Sequence, residues 1–252
     1  MNHRQIVFVW LIVSTVIGSS VMGQDSPKLK VSAFAPVKDA EAQLKYFVTK
    51  IGRDLDDKED FGEAQHKRIA LDGSTVSVLA LTLGMHDKKS ELKSAASKLI
   101  EHAVELVESS EDFDAAKSAH SALMKALDEK PAGEALSWEE PVADLALLMQ
   151  QVPIVNDGLR RGVNDKRRFK RNATKTAARA VTLAAIANAS MMDTSYCADE
   201  DDEKAWKQIC ADMRDACVDV YKALLEKDQA KAKAGNAKVV ESCDACHHKF
   251  RD

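Results

Sequence analysis

The chain has 252 residues, with 36 basic and 40 acidic side chains and a formal net charge of −4. This slightly acidic balance argues against a general nucleic-acid-binding protein. Aromatic residues make up only 5% of the chain, there are ten glycines and five prolines, and Ala, Lys, Glu and Leu are abundant. The composition therefore favours an all-α fold.

The first segment of the chain predicts export. Arg4 supplies a positive charge, residues 6–17 form an apolar stretch, and small residues follow as far as Gly23. The apolar stretch is too short to cross a bilayer. We interpret residues 1–23 as a signal peptide cleaved near Gly23. We expect the mature chain to have no membrane span and to reside in the periplasm or another extracytoplasmic compartment.

The next part of the chain predicts four helices with few breakers, at residues 38–55, 61–84, 88–108 and 113–129. Pro131 and Gly133 then interrupt the helical pattern. We therefore divide the mature chain into two helical domains, residues 24–131 and 132–252.

The second domain also predicts four helices. Ser137 and Glu140 form a capping-box pattern that predicts a helix start at Trp138, and further helices are expected near 169–192, near 203–226 and from Asp228. The basic run within residues 160–171 is assigned to a solvated loop between the first two helices. The alternative is a docking site for an acidic redox partner.

The two domains show a weak internal likeness. Residues 74–87 align with 180–193 at an offset of 106, and residues 115–125 align with 236–246. A duplication would explain both matches, whereas alanine-rich helices also resemble one another by default.

The run with the most specific chemistry is the CxxCH sequence formed by Cys243, Cys246 and His247. This pattern is typical of c-type haem attachment, in which two thiols bond covalently to the haem and the histidine becomes the proximal iron ligand. Zinc is the alternative, because thiolates at CxxC spacing followed by imidazoles can begin a tetrahedral ligand set. Of the remaining cysteines, Cys197 and Cys210 are predicted to form a disulfide.

A four-helix segment whose last helix ends in CxxCHxxFR resembles the cytochrome c′ group, the class II c-type cytochromes. Cys243, Cys246, His247, Phe250 and Arg251 carry this resemblance, which covers residues 137–252. It implies an antiparallel four-helix bundle holding one covalent haem c. The resemblance does not extend to the first domain, which the internal alignment predicts to be a related, haem-free bundle. It also implies that Arg251 lies near the proximal imidazole.

In such an up-and-down bundle, the haem lies beside the start of the first helix, which gives Leu145, Leu148 and Met149 as candidates for the distal side. A Met149 thioether on the iron would give a six-coordinate electron carrier, and a leucine would leave an open site for a small gas. Sequence alone leaves both open.

The function expected from this resemblance is electron transfer with a redox partner protein, without enzymatic activity. The alternatives are a five-coordinate protein that binds nitric oxide or carbon monoxide, and a structural zinc-binding interaction protein. Class II cytochromes often pair through their first two helices, and a fused second bundle could occupy that surface. A monomer is therefore expected.

Overall fold

The computed structural model describes residues 29–251, so the predicted signal peptide lies outside the described residues. Within this range, all regular elements are helical. One 3-10 turn, Val31–Ala33, precedes the α-helices, which are α1 Val37–Asp54, α2 Glu63–Gly84, α3 Ala96–Glu108, α4 Phe113–Glu129, α5 Leu145–Asn164, α6 Lys166–Ser190, α7 Glu200–Leu225 and α8 Gln229–Phe250. No helix in the described range is long and apolar enough to span a bilayer.

The helices pack as two four-helix bundles, α1–α4 and α5–α8. In each bundle, every helix packs on the next one in the chain and the first packs on the fourth. The bundles share one continuous apolar core, because α2 contacts α5 and α6, and α1 also contacts α6. The predicted helical bundle is therefore confirmed, and the two halves are fused side by side.

The central helices α2 and α6 are surrounded by other helices. Residues 71–83 of α2 and residues 180–187 of α6 are all buried. These segments overlap the two stretches that align at an offset of 106, and each belongs to the second helix of its bundle. A helix packed on all sides needs small and apolar residues around its whole circumference, so equivalent burial accounts for part of the likeness.

Aspartate side chains mark the starts of the last five helices. Each of these carboxylates accepts a hydrogen bond from a backbone N–H in the first turn, which would otherwise lack a partner. The capping residues are Asp112, Asp144, Asp165, Asp199 and Asp228.

The predicted helix start at Trp138 is wrong, because α5 begins at Leu145. The side chain of Asp144 caps α5 and accepts from the N–H groups of Ala146 and Leu147 at 2.6 and 3.2 Å. Upstream of this cap, Gly133 donates its N–H to the carbonyl of Ser94 at 2.8 Å. The connecting segment is thus held along α3 in a non-helical conformation.

Two further boundaries differ from the sequence prediction. Helix α3 begins at Ala96 rather than near residue 88, because the Ser90 hydroxyl accepts from the N–H of Leu92 and donates to Glu41, which competes with helical bonding. The predicted loop over residues 160–171 is also wrong. Only Asp165 separates α5 from α6, so the basic side chains project from helices.

Buried polar contacts connect the two bundles. Asp72 on α2 is fully buried and lies 2.9 Å from Lys50 Nζ, and Gln151 on α5 donates to the same carboxylate at 2.9 Å. Burial raises the pKa of Asp72 above its usual value, although the nearby ammonium of Lys50 acts against this rise. Thr182 on α6 donates to Gln43 on α1 at 2.9 Å. These bonds fix the bundles in one relative position.

Candidate functional site

The CxxCH residues lie on the last turns of α8. Cys243 and Cys246 are three residues apart and therefore share one face of the helix. Both are half-buried: Cys243 packs against the main core, and Cys246 packs against a smaller cluster around Leu145, Trp206 and Cys210. His247 is exposed. The helix thus directs the two thiols inward and leaves the neighbouring imidazole at the surface.

The register between α5 and α8 determines what faces the thiols. Two side-chain hydrogen bonds of 2.8 Å connect these helices, from Asn236 to Asn156 and from Gln229 to the carbonyl of Val163. The two bonds are separated by seven residues in opposite directions along the two helices, so the helices are antiparallel. Cys243 lies seven residues beyond Asn236 on α8 and Met149 lies seven residues before Asn156 on α5, so these two residues are level with each other. One helical turn further in the same direction, His247 is level with Leu145.

Of the three candidate distal residues, the structure brings two close to the thiols. Leu145 and Met149 pack in the same small cluster as Cys246. Leu148, by contrast, packs into the main core and is not part of this cluster. Leu145 and Met149 therefore remain as candidates beside the motif.

Phe250 and Arg251, the last two residues of the family pattern, have different surroundings. The ring of Phe250 packs edge-on against Trp206, with a centroid distance of 5.2 Å and an interplanar angle of 85°. Arg251 follows the end of α8 and is exposed, and its backbone N–H donates to the carbonyl of His247 at 3.2 Å. Phe250 thus anchors the last turn, and Arg251 contacts the histidine through the main chain.

Sequence analysis did not identify the residues that hold this last turn in place. Trp206 donates its indole N–H to the carbonyl of Ser190 at 2.8 Å, and Lys249 pairs with Asp202 at 2.9 Å. The hydrogen bond from Lys249 lowers the pKa of Asp202. A tryptophan at a core position needs a partner for its N–H, which is the signal that could have indicated this anchor.

Burial strongly affects the protonation of the motif thiols. Desolvation raises the pKa of Cys243 to about 11 and also raises the pKa of Cys246. Both groups are therefore neutral thiols at pH 7. Because the thiolate is the form that attacks disulfides and undergoes oxidation, this environment favours the reduced state of the motif.

The predicted disulfide between Cys197 and Cys210 is wrong, since both are free thiols. They pack in the same small cluster, but burial raises the pKa of Cys210 to about 12 and also raises that of Cys197. Neither thiol is thus readily ionised for disulfide formation. Cys217 is fully buried, as its position on the core face of its helix predicts.

Within residues 29–251, no three side chains among His, Cys, Asp and Glu converge in a way that could hold a metal ion. The additional ligands that a zinc site at the CxxC pair requires are therefore not assembled in this arrangement.

Comparison with known proteins gave no relative: no family model, no curated protein and no solved structure matches this chain.

Proposed function

We propose that this protein is an exported mono-haem c-type cytochrome that transfers electrons. The observation that carries the proposal is the arrangement of α8, in which Cys243 and Cys246 face the bundle interior and His247, the next residue, has its side chain at the surface. Two thioether-forming cysteines and an adjacent free imidazole are the donor set that haem c requires.

The residues present fit this cofactor. Cys243 and Cys246 would hold the haem covalently, and His247 would be the proximal iron ligand. When bound, the group supplies the Fe(III)/Fe(II) couple. Leu145 and Trp206 border the motif and would exclude water from this side of α8. The cavity beside Leu145 has a volume of about 10 Å³, far smaller than a haem, so Leu145 would have to move on attachment.

The bundle arrangement supports a cytochrome c′-like assignment for the second half and a haem-free role for the first. The alignment of residues 115–125 with 236–246 places Ala122 and Lys125 where the second half has its two motif cysteines. The first half therefore lacks the attachment residues. It also packs on α5 and α6, the first two helices of the haem-bearing bundle. That surface is covered within one chain, which supports the proposal of a monomer.

Gas binding is the second candidate function, and the α5–α8 register favours it. Leu145 is 5% exposed and lies level with His247, whereas Met149 lies one turn further along, level with Cys243. An apolar side chain at the height of the histidine is compatible with an open distal position. A Met149 ligand would instead give a closed, six-coordinate site.

The experiment that tests haem attachment uses the full chain, exported in a bacterial host that matures c-type cytochromes. We expect a pyridine haemochrome spectrum of one covalent haem per chain. The Cys246→Ala variant should retain at most one thioether bond and show a red-shifted α-band. Cys210→Ala is the matched control, since it removes a buried thiol from the same cluster and should leave the spectrum unchanged. A protein that contains stoichiometric zinc and has no haem absorbance would refute the proposal.

The ferric absorption spectrum separates the two haem functions. Electron transfer with a Met149 ligand predicts a thioether charge-transfer band that is lost in Met149→Leu and retained in the control Leu148→Met. An open site predicts no such band in the parent protein and rapid carbon monoxide binding to the ferrous form.

A further inference from the structure

A second site candidate lies between α5 and α6, at the opposite end of the bundle from the CxxCH motif. It is a cavity of about 230 Å³ whose floor contains Gly158, Gly162 and Thr176. Gly158 is thirteen residues beyond Leu145 on α5, which corresponds to about 20 Å along the helix axis. The cavity is therefore separate from the proposed haem site.

Close packing of the two helices forms this floor. A Cβ atom at Gly162 would lie 2.4 Å from the Thr176 side chain, and one at Gly158 would lie 2.7 Å from Nε of Arg179. Glycine thus allows the threonine and the guanidinium to lie directly against the α5 backbone. Thr176 is 1% exposed and lines the base of the cavity.

The wall of the cavity is strongly basic. Arg168, Lys175 and Arg179 lie seven and four residues apart on α6, a spacing that places them on one face, and Arg161 approaches from α5. No acidic side chain lines the cavity. Arg161 pairs with Asp157 outside it. Among the described residues, the three basic side chains of α6 have no carboxylate within 4.0 Å.

Neutral hydrogen-bonding groups complete the wall. Asn172 lies between the basic residues on the same side of α6, and its backbone departs from helical geometry, with φ −124° and ψ 19°. The helix bends at this point, and the exposed amide of Asn172 faces the cavity together with Thr176. The three basic side chains of α6 repel one another around this concave surface, and a bound anion relieves that repulsion.

We propose that this cavity, which we call the basic pocket, binds a small polyvalent oxyanion of the phosphate type. Two guanidinium groups can each donate two parallel hydrogen bonds to phosphate oxygens, and Lys175 adds a point charge. The volume is below the range of about 300–1,000 Å³ that is usual for pockets holding drug-sized ligands. The ligand is therefore inorganic phosphate, pyrophosphate or a small phosphate ester.

Calorimetric titration of the full chain tests this proposal, with inorganic phosphate, pyrophosphate, glycerol phosphate and succinate as probes at constant ionic strength. We expect saturable binding of a phosphate compound at one site per chain. The variant Arg168→Gln/Lys175→Gln should weaken that binding by about tenfold or more. The control Arg167→Gln/Lys170→Gln has the same net charge and changes exposed residues outside the pocket, so it should change the affinity less than about twofold.

Three results would overturn the proposal: no saturable binding to the parent chain, equal weakening in both variants, or succinate binding as tightly as the best phosphate compound. Equal weakening would indicate general electrostatic attraction. Tighter binding of glycerol phosphate than of inorganic phosphate would identify an ester as the preferred form. The far-UV circular dichroism of both variants verifies that they are folded. Haem content does not enter the readout, so this test is independent of the proposed cytochrome function.

Discussion

The buried ion pair between Lys50 on α1 and Asp72 on α2 predicts an unequal response to removal of its two partners. Asp72 is completely buried, whereas the side chain of Lys50 keeps 27% of its surface exposed. In Lys50→Met, the carboxylate loses its counter-charge and has no route to solvent. In Asp72→Asn, the ammonium can turn outward into water, and the amide still occupies the same volume beside Gln151.

The expected magnitudes follow from this asymmetry. Removal of one partner of a buried pair typically costs about 3–5 kcal/mol. Because the pair is partly accessible to solvent from the side of Lys50, we expect Lys50→Met to lower the free energy of unfolding by about 3 kcal/mol, the lower end of this range. For Asp72→Asn we expect about 1 kcal/mol, the net value of a hydrogen bond.

The pH dependence gives the same prediction an independent check. Burial raises the pKa of Asp72, so the neutral carboxyl is favoured in the folded state, and stability is lost as the pH rises through that pKa. Lys50 lowers this pKa, and its removal therefore raises it further. The cost of Lys50→Met should be largest at neutral pH and should shrink as the pH falls through the raised pKa of Asp72, because the carboxyl then becomes protonated in both proteins.

Urea unfolding followed by far-UV circular dichroism measures these free energies, with the double variant Lys50→Met/Asp72→Asn to complete a double-mutant cycle. The double variant should be more stable than Lys50→Met alone, because the unpaired charge is gone. Equal costs for the two single variants, or a cost of Lys50→Met that does not depend on pH, would refute this account of the pair.

Three further predictions concern individual hydrogen bonds. Trp206→Phe should lower the free energy of unfolding by about 1–3 kcal/mol in urea titrations, because it leaves a buried carbonyl of α6 without its donor. Tyr221→Phe removes a 2.7 Å hydrogen bond to Asp39 between the bundles and should cost about 1 kcal/mol in the same assay; no change in stability would argue against this bond. Hydrogen bonds from the hydroxyl and the N–H of Ser32 hold the pKa of Asp87 at about 2. These bonds therefore stabilise the fold at any pH above the ordinary aspartate pKa, and the stabilisation is lost as the pH falls through about 2. Carboxyl carbon shifts in a nuclear magnetic resonance titration should show this midpoint, and Ser32→Ala should move it toward 4.

The helices were largely predictable from the sequence, whereas their starts were less so. Apolar periodicity indicated the helices of the first half, α1 to α4, since a buried stripe leaves a 3.6-residue pattern. The start of α5 was placed seven residues too early, because the capping-box pattern at Ser137 and the single cap at Asp144 are both favourable. Only the surrounding structure decides between two such local signals.

The relation between the bundles was not predictable from the pattern of either one. A stripe of apolar residues shows that a helix face is buried, but it does not show which helix covers it. The pairing of α1 with α6 depends on contacts such as Thr182 with Gln43, which are distant in sequence. The CxxCH site was identified from the spacing of Cys243, Cys246 and His247, and its haem chemistry stays a prediction; the structure adds that both thiols pack inward. The basic pocket was missed, since two glycines on α5 and a bend in α6 create a concavity that charge counting cannot show.

Because the two bundles are fused through one core, the surface of α5 and α6 that the first bundle covers does not respond to dilution as a dimer interface does. In a dimer of separate subunits, the population of the paired form depends on protein concentration. Here the covering bundle belongs to the same chain, so its effective concentration near α5 and α6 is set by the connection of residues 130–144. The contact surface of α5 and α6 therefore stays covered by the same chain at any expression level.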